Sequence, residues 1–331
     1  MQQWSVKTVS LTEDARLWDR LHASSARATV FSSSAWLCLL GEVFERPATA
    51  TILLFDDMPV AGIPLLTSQR GPLRVSPPLP ITLYAGWLAD EHHIAVPSDA
   101  LHELFAHIEQ RCHYASLGLP PEEPLAEQLR GRGWTLHQMR TRRITIADAE
   151  ALWSGYSQSL RRKLRRAGES DLHLDEDPSS SLMADCYDLS YQRHGIAPPI
   201  PKERVRRWID ELKRSGMVDM FAGRRLDGRC AAVRAVTRDG DMLYDWLAGA
   251  DPAVAPSASH WLVHTILTRY HKHGCLYFDF MGANAPGVAD FKRSFGGDLV
   301  PYVDAEWYRP SILKTINRLR SRAIRRQRGL R

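Results

Sequence analysis

The chain has 331 residues, of which 44% are hydrophobic and 24% charged, with a formal net charge of +5. That composition belongs to a folded globular protein and excludes a disordered one, while the length exceeds a single ordinary core and sets the expectation of two domains of about 150 residues. The charge is unevenly placed. Segment 311–331 holds Lys314, Arg318, Arg320, Arg322, Arg325, Arg326, Arg328 and Arg331 and no acid, and taking these eight positive charges from the net of +5 leaves −3 for the first 310 residues.

No apolar run reaches the roughly 18 residues of a membrane span. The opening MQQWSVKTVSLTEDARLW lacks the charged-then-apolar layout of a secretion signal. Five cysteines (Cys38, Cys112, Cys186, Cys230, Cys275) are scattered without a CxxC pair, which points to a reducing cytoplasm.

In chain order, ATILLFDDMPVAGIPLLTS (50–68) reads as a hairpin turning at Asp56-Asp57, and ITLYAGWL (81–88) as the next strand. LHELFAHIEQRC (101–112) follows as a helix, YASLGL (114–119) as a strand, EPLAEQLRGRGW (123–134) as a helix ended by glycine, and TLHQMRTRRITI (135–146) as a strand. Residues 150–215 read as helical, with LRRKLRR at 160–166, a polar break at DEDPSSS and a proline-rich loop at IAPPIPKE. The series then repeats: a hairpin around Asp227-Gly228, a strand at Asp241–Ala248, and a helix at Ser259–His273 stopped by Gly274. A buried-type strand follows at Cys275–Met281, then a helix carrying Phe291 and Phe295 and ended by Gly296-Gly297. An alternating strand through Leu299, Pro301, Val303, Ala305 and Trp307 closes it. Two copies of one series predict duplicated α/β domains with mixed sheets, at 1–149 and 150–310, and a basic amphipathic helix at 311–331.

The hairpin–strand–helix–strand–helix–strand order resembles the GNAT acyltransferase fold. Three stretches resemble its Fem-like branch of tandem GNAT domains, which includes peptidoglycan-bridge aminoacyltransferases and CelD/BioF2-type acetyltransferase domains. They are FSSSAWLCLL (31–40), SQSLRRKLRRA (157–167) and DFMGANAPGVADFKRSFGG (279–297), the last matching an FKxxFG signature. The chain departs from the acetyl-CoA enzymes in having GADPAVAPSASHW where they carry a glycine-patterned loop, an absence usual in the Fem-like branch. LCLLG follows Trp36, where bridge-forming members often show a lysine, and this argues against a peptidoglycan precursor as acceptor.

Lys292 is the leading catalytic candidate. At the edge of the Phe291/Phe295 stripe it can point into the cleft beside the 275–281 strand, where an ammonium stabilises the oxyanion formed when an amine or hydroxyl attacks an acyl carbon. The resemblance implies the same role; the bland reading is a snorkelling surface lysine. Placing Leu129 on Phe295 puts Ala126 opposite Lys292, so the N-terminal copy lacks the lysine and one active site, in the second domain, is expected. Asp279 and His260 are the candidate general bases, each with a structural alternative. Ser257 and Ser259 open a helix whose free N–H groups suit a donor phosphate, or serve as a plain N-cap. Phe291, Phe295 and Asn284 complete the donor-side candidates. Tyr244 and Trp246, with Tyr191, Arg193 and His194 before the proline-rich loop, are the substrate-side candidates, with core packing or solvation as the alternative. His260 and His264 have HxxxH spacing without a third ligand nearby, so no metal is expected.

Acyl transfer from acyl-CoA to an amine or hydroxyl of a sugar, lipid or small metabolite is the first reading. The second changes the donor to aminoacyl-tRNA, motivated by LRRKLRR and the basic tail. The third is a non-catalytic binding module whose basic tail holds nucleic acid or membrane. In a cytoplasmic enzyme acting on envelope precursors, 311–331 can lie on an anionic membrane, or simply pack on the body.

Overall fold

The computed structural model describes residues 3–90, 96–121, 125–193, 195, 197–284, 286–310 and 313–315. The chain divides into two compact units, Met1–Gln138 with the chain from Pro301 on, and Met139–Val300.

The first unit opens with β1 (Trp4–Ser10), α1 (Arg16–Ser24) and α2 (Ser34–Phe44), none of them anticipated from sequence. The expected hairpin is β2 (Ala48–Phe55) and β3 (Met58–Leu66), and both turn residues Asp56 and Asp57 take positive φ. A short pair follows, β4 (Ser68–Arg70) and β5 (Leu73–Ser76). The strand expected at 81–88 is not formed. Ile81 and Tyr84 sit at φ of 42° and 62°, which breaks the extended run, and only β6 (Leu88–Ala89) pairs, with β3. Then come α3 (Ser98–Arg111), β7 (Tyr114–Leu119) and α4 (Leu125–Gly131), with Leu104, Phe105, Leu117, Leu129 and Trp134 in one buried cluster.

The chain passes between the units within β8 (Thr135–Thr145) and returns within the last strand, β14. The second unit's helices begin with α5 (Ala149–Gly155) and α6 (Gln158–Gly168). The stretch read as wholly helical contains a short strand, β9 (Leu172–Asp175), before α7 (Ser180–Gln192) and α8 (Lys202–Arg214). The meander β10 (Asp219–Arg225), β11 (Cys230–Asp239), β12 (Met242–Ala250) follows, antiparallel throughout, with β9 paired to β10. Helix α9 (Ala258–Lys272) crosses over to β13 (Tyr277–Asp279), which runs parallel to β12 and antiparallel to β8. Helix α10 (Pro286–Arg293) leads to β14 (Asp298–Tyr308), whose later part pairs with β7 in the first unit.

The second unit therefore begins at 139, and the closing strand from Pro301 belongs to the first, whereas the sequence reading puts the boundary at 149/150. A long extended run shared by two cores carries no punctuation that marks where one core stops. Of segment 311–331 only residues 313–315 are described, so the expected basic helix lies outside the described residues.

Candidate active site

The site grows from the end of a short ladder. β12 and β13 pair only from Met242/Tyr277 to Tyr244/Asp279, while β12 continues to Ala250. At the last rung Asp279 is fully buried, and its carboxylate accepts from Thr141 Oγ1 (2.5 Å), Arg143 Nε (2.9 Å) and the Met281 N–H (2.8 Å). Beyond it the chain turns through left-handed Met281 and Gly282. The turn is pinned to β8 by the Ala283 N–H on Arg140 O (2.7 Å) and by Asn284, whose Oδ1 accepts the Arg140 N–H (2.9 Å).

Lys292 closes this turn from α10. Its Nζ donates to Phe280 O at 2.6 Å and Gly282 O at 2.5 Å, and the residue is only 9% exposed. Burial pushes the ammonium down to about 8, opposed chiefly by Asp245. Two of its three N–H donors are used, leaving one. The position depends on the glycines after α10. Gly296 and Gly297 both have positive φ, and a side chain on Gly297 would strike Arg143 O at 2.1 Å.

Around Lys292 lies a charged cluster that the sequence reading missed. Arg234 on β11 and Asp245 on β12 are 3% and 6% exposed and form a direct ion pair, Nη1 to Oδ2. Arg234 also donates to Ser259 Oγ (3.1 Å) and stands over the Phe291 ring at 5.3 Å. Asp245 precedes Trp246, where the β11–β12 register slips by one residue, and it is the first β12 residue past the ladder with β13. Each is a lone charge in an apolar strand (AAVRAV, LYDWL), the one available sequence signal, since a charge buried there has to be paired.

His260 completes the cluster. It is 8% exposed and lies against Phe291 (4.6 Å between centroids) and Phe295 (6.0 Å). Lys163 Nζ approaches its Nε2 at 3.3 Å. Burial, then Lys163 and Arg234, push the imidazole down to about 4, so it is neutral near pH 7. With Nε2 accepting an N–H from the Lys163 ammonium, Nδ1 carries the ring N–H. Asp245 Oδ1, Arg234 Nε and His260 Nδ1 are buried without a hydrogen-bond partner among the described residues. Ser257 is the N-cap of α9 and makes no side-chain cap bond; its carbonyl accepts the N–H groups of His260 and Trp261.

The structure thus gathers Lys292, His260, Ser259, Phe291 and Phe295 into one place with Arg234 and Asp245. Tyr244 is buried opposite Asp279 in the ladder. Trp246 packs edge-on against Trp208 of α8, with centroids 4.8 Å apart. Tyr191 packs at a tilt against Tyr187 within α7, and Arg193 is exposed at that helix's C-cap. His194 lies outside the described residues. Among the described residues no group of His, Cys, Asp or Glu could hold a metal ion.

Residues 154–293, which include Arg234, Asp245, Ser259, His260, Phe291 and Lys292, match the family model of an acetyltransferase (GNAT) domain. These residues form a GNAT-type acetyltransferase domain, and the fold of the chain is that of Fem-like tandem GNAT proteins. The chain is accordingly an acyltransferase. Among solved structures it is similar to FemX, with a TM-score of 0.69 at 12% identity over 94% of this chain and 99% of that one. It is similar to L-PGS from Bacillus licheniformis, with a TM-score of 0.58 at 11% identity over 97% and 100%. A tandem GNAT protein from the clavulanic acid biosynthesis pathway, solved without acetyl-CoA, gives 0.57 at 10% identity over 92% and 98%. No curated protein matches the GNAT chain in sequence. The acetyltransferase domain supports an enzyme over the non-catalytic reading. Among the described residues no helix is long and apolar enough to cross a membrane.

Proposed function

We propose that the second unit transfers an acyl group from acyl-CoA to an amine or hydroxyl of a sugar, lipid or small metabolite by direct attack. The observation that carries this is Lys292, buried and held by two backbone carbonyls where the β12–β13 ladder ends. The edge of β12 past Tyr244 suits the extended, amide-bearing arm of the donor, which would add to it as a further strand. The start of α9 at Ser257–Ser259 receives the donor's phosphate, and Phe291 and Phe295 flank the acyl group. When the nucleophile attacks, the carbonyl pair moves onto oxygen and the remaining N–H of Lys292 stabilises it; as the carbonyl re-forms the C–S bond breaks, the CoA thiolate leaves, and it takes up the proton released by the nucleophile.

A cysteine-bound intermediate fits poorly. The Cys186 thiol is pushed up by its contact with Cys230 and by burial, and Cys275 is pushed up by burial, so neither is a ready thiolate. Asp279 holds the turn through Thr141, Arg143 and the Met281 N–H, and Asn284 supports the same turn; Tyr244, Tyr191, Arg193 and His194 remain the acceptor-side candidates. An aminoacyl-tRNA donor is the second reading, favoured by the exposed Arg162, Arg165 and Arg166 on α6. We place the protein in the cytoplasm, with 311–331 against an anionic membrane.

The test compares acetyl-CoA, longer acyl-CoAs and charged tRNA, by thermal shift and by transfer to amine and hydroxyl acceptors. A ligand at 100 times its Kd stabilises the native state by about 2.7 kcal/mol, so saturable acyl-CoA binding is readily seen. Transfer should fall as pH rises through about 8, where Lys292 discharges. Binding confined to tRNA and weakening steeply with salt would move the donor assignment to the second reading.

A further inference from the structure

Lys292 must be charged to stabilise an oxyanion, yet its burial works against that charge. The charged and titratable groups around it come from four strands and helices packed together: Asp245 on β12, Arg234 on β11, Asp279 on β13 and His260 on α9. On its own helix Asp290 and Arg293 face solvent and pair with each other at 2.8 Å. Asp279 has its two oxygens spread over Thr141, Arg143 and the Met281 N–H, so much of its charge is already answered. His260 is neutral. Asp245 differs from both. It is buried, one oxygen is paired to Arg234, and the other has no partner among the described residues. Of the charges acting on Lys292 its influence is the largest, ahead of the opposing Arg234.

A buried ion pair is weak evidence for stability, because apolar residues of similar volume commonly serve as well or better. The Arg234–Asp245 pair therefore asks for another reason, and its place supplies one: Arg234 lies over the Phe291 ring, and Asp245 follows the last rung of the β12–β13 ladder, where Lys292 closes the turn. We propose that Asp245 is a positioning residue for acyl transfer, its carboxylate oriented by Arg234 so as to keep Lys292 charged in a site dry enough to discharge it. Arg234 limits the effect, since its own positive charge opposes that of Lys292. This rests on the reading of Lys292 as the group that stabilises the oxyanion.

Two readouts separate the inference from that reading. The first is the titration of the Lys292 side chain by NMR of protein carrying 13C-labelled lysine, its resonance assigned by loss in Lys292→Arg. The second is the upper pH limit of kcat/KM for acyl transfer. Asp245→Asn should lower the NMR midpoint by at least about one pH unit, since an opposite charge at close range is removed. Arg234→Met should raise it. The pH limit of activity should follow in both directions, and Asp245→Asn/Lys292→Arg should have no such limit, because arginine stays charged. A merely structural pair gives no opposite-signed shifts. An unchanged midpoint in either single variant overturns the inference. Should Asp245→Asn not fold, Arg234→Met alone decides it by whether the midpoint rises. Midpoints that move while the activity profile stays put would instead overturn the role given to Lys292, leaving its electrostatic control by Asp245 in place.

Discussion

Replacing Lys292 by methionine should expose how much the fold gives up to bury that ammonium. Below pH 8 the lysine is charged in both folded and unfolded chains, and the folded state carries the whole penalty of desolvating it. As pH rises from about 8 towards 10.5 the folded lysine loses its proton while the unfolded one keeps it. The unfolded state then binds more protons, so stability rises with pH over that window and the penalty is gone above it. A displacement from 10.5 to about 8, at about 1.4 kcal/mol per pH unit, amounts to about 3 kcal/mol. Lys292→Met has no such titration, and the two carbonyls it abandons, Phe280 O and Gly282 O, lower its stability equally at every pH. The quantity to measure is the stability of wild type minus that of Lys292→Met, from urea unfolding at pH 7.5 and near pH 10, where other titrating groups cancel. It should increase by about 2–3 kcal/mol on going to the higher pH. A flat difference would refute the claim that Lys292 is buried as a strained cation, and a fall would mean that its partners in the fold favour the charged form over water.

Asp279→Ala removes a buried carboxylate that answers Arg143 and two other donors, and should destabilise by about 3–5 kcal/mol; a loss below about 1 kcal/mol in calorimetry would show that Asp279 does not anchor the turn. Gly297→Ala forces a methyl against Arg143 O at a residue with φ of 70°, so its melting temperature should drop and acyl transfer fall with it as the turn after α10 shifts; wild-type values for both would contradict the geometry. Trp246→Ala should cost about 3–5 kcal/mol through the lost packing on Trp208 while leaving the Kd for acyl-CoA unchanged, as calorimetric titration would show.

What could be read in the sequence was whatever is written locally. The Asp56-Asp57 and Asp227-Gly228 turns, the glycine after α9 and the Phe291/Phe295 stripe each announce their element within a few residues, and each is in place. Lys292 was legible for the same reason: a cation at the rim of an aromatic stripe followed by two glycines has few places to go. The expected strand at 81–88 failed because its apolar pattern is real but its backbone is not extended. Tyr84, Ala85 and Trp87 are buried, yet Ile81 and Tyr84 adopt φ values that non-glycine residues reach only when their surroundings impose them. Such constraint comes from other parts of the unit, as in the Gly86 N–H bonded to Gly118 O at 3.0 Å, and pattern alone does not hold it.

The charged pair beneath Phe291 is the more instructive omission. Arg234 and Asp245 stand eleven residues apart on neighbouring strands, and each is an isolated polar residue within an apolar run. The acid and the base that sequence places near the FK motif are Asp279 and His260. Both are buried beside the lysine, but Asp279 has its charge answered by the turn it holds and His260 has its basic nitrogen occupied. The acid that acts most strongly on Lys292 is the one whose second oxygen is left over once the strands have paired, and that remainder exists only after β11 and β12 come into register around Trp246. In a fold reused for many chemistries, the groups that act on a buried charge such as Lys292 are therefore to be sought also among the unsatisfied atoms of paired strands, and not only among the neighbours of the motif.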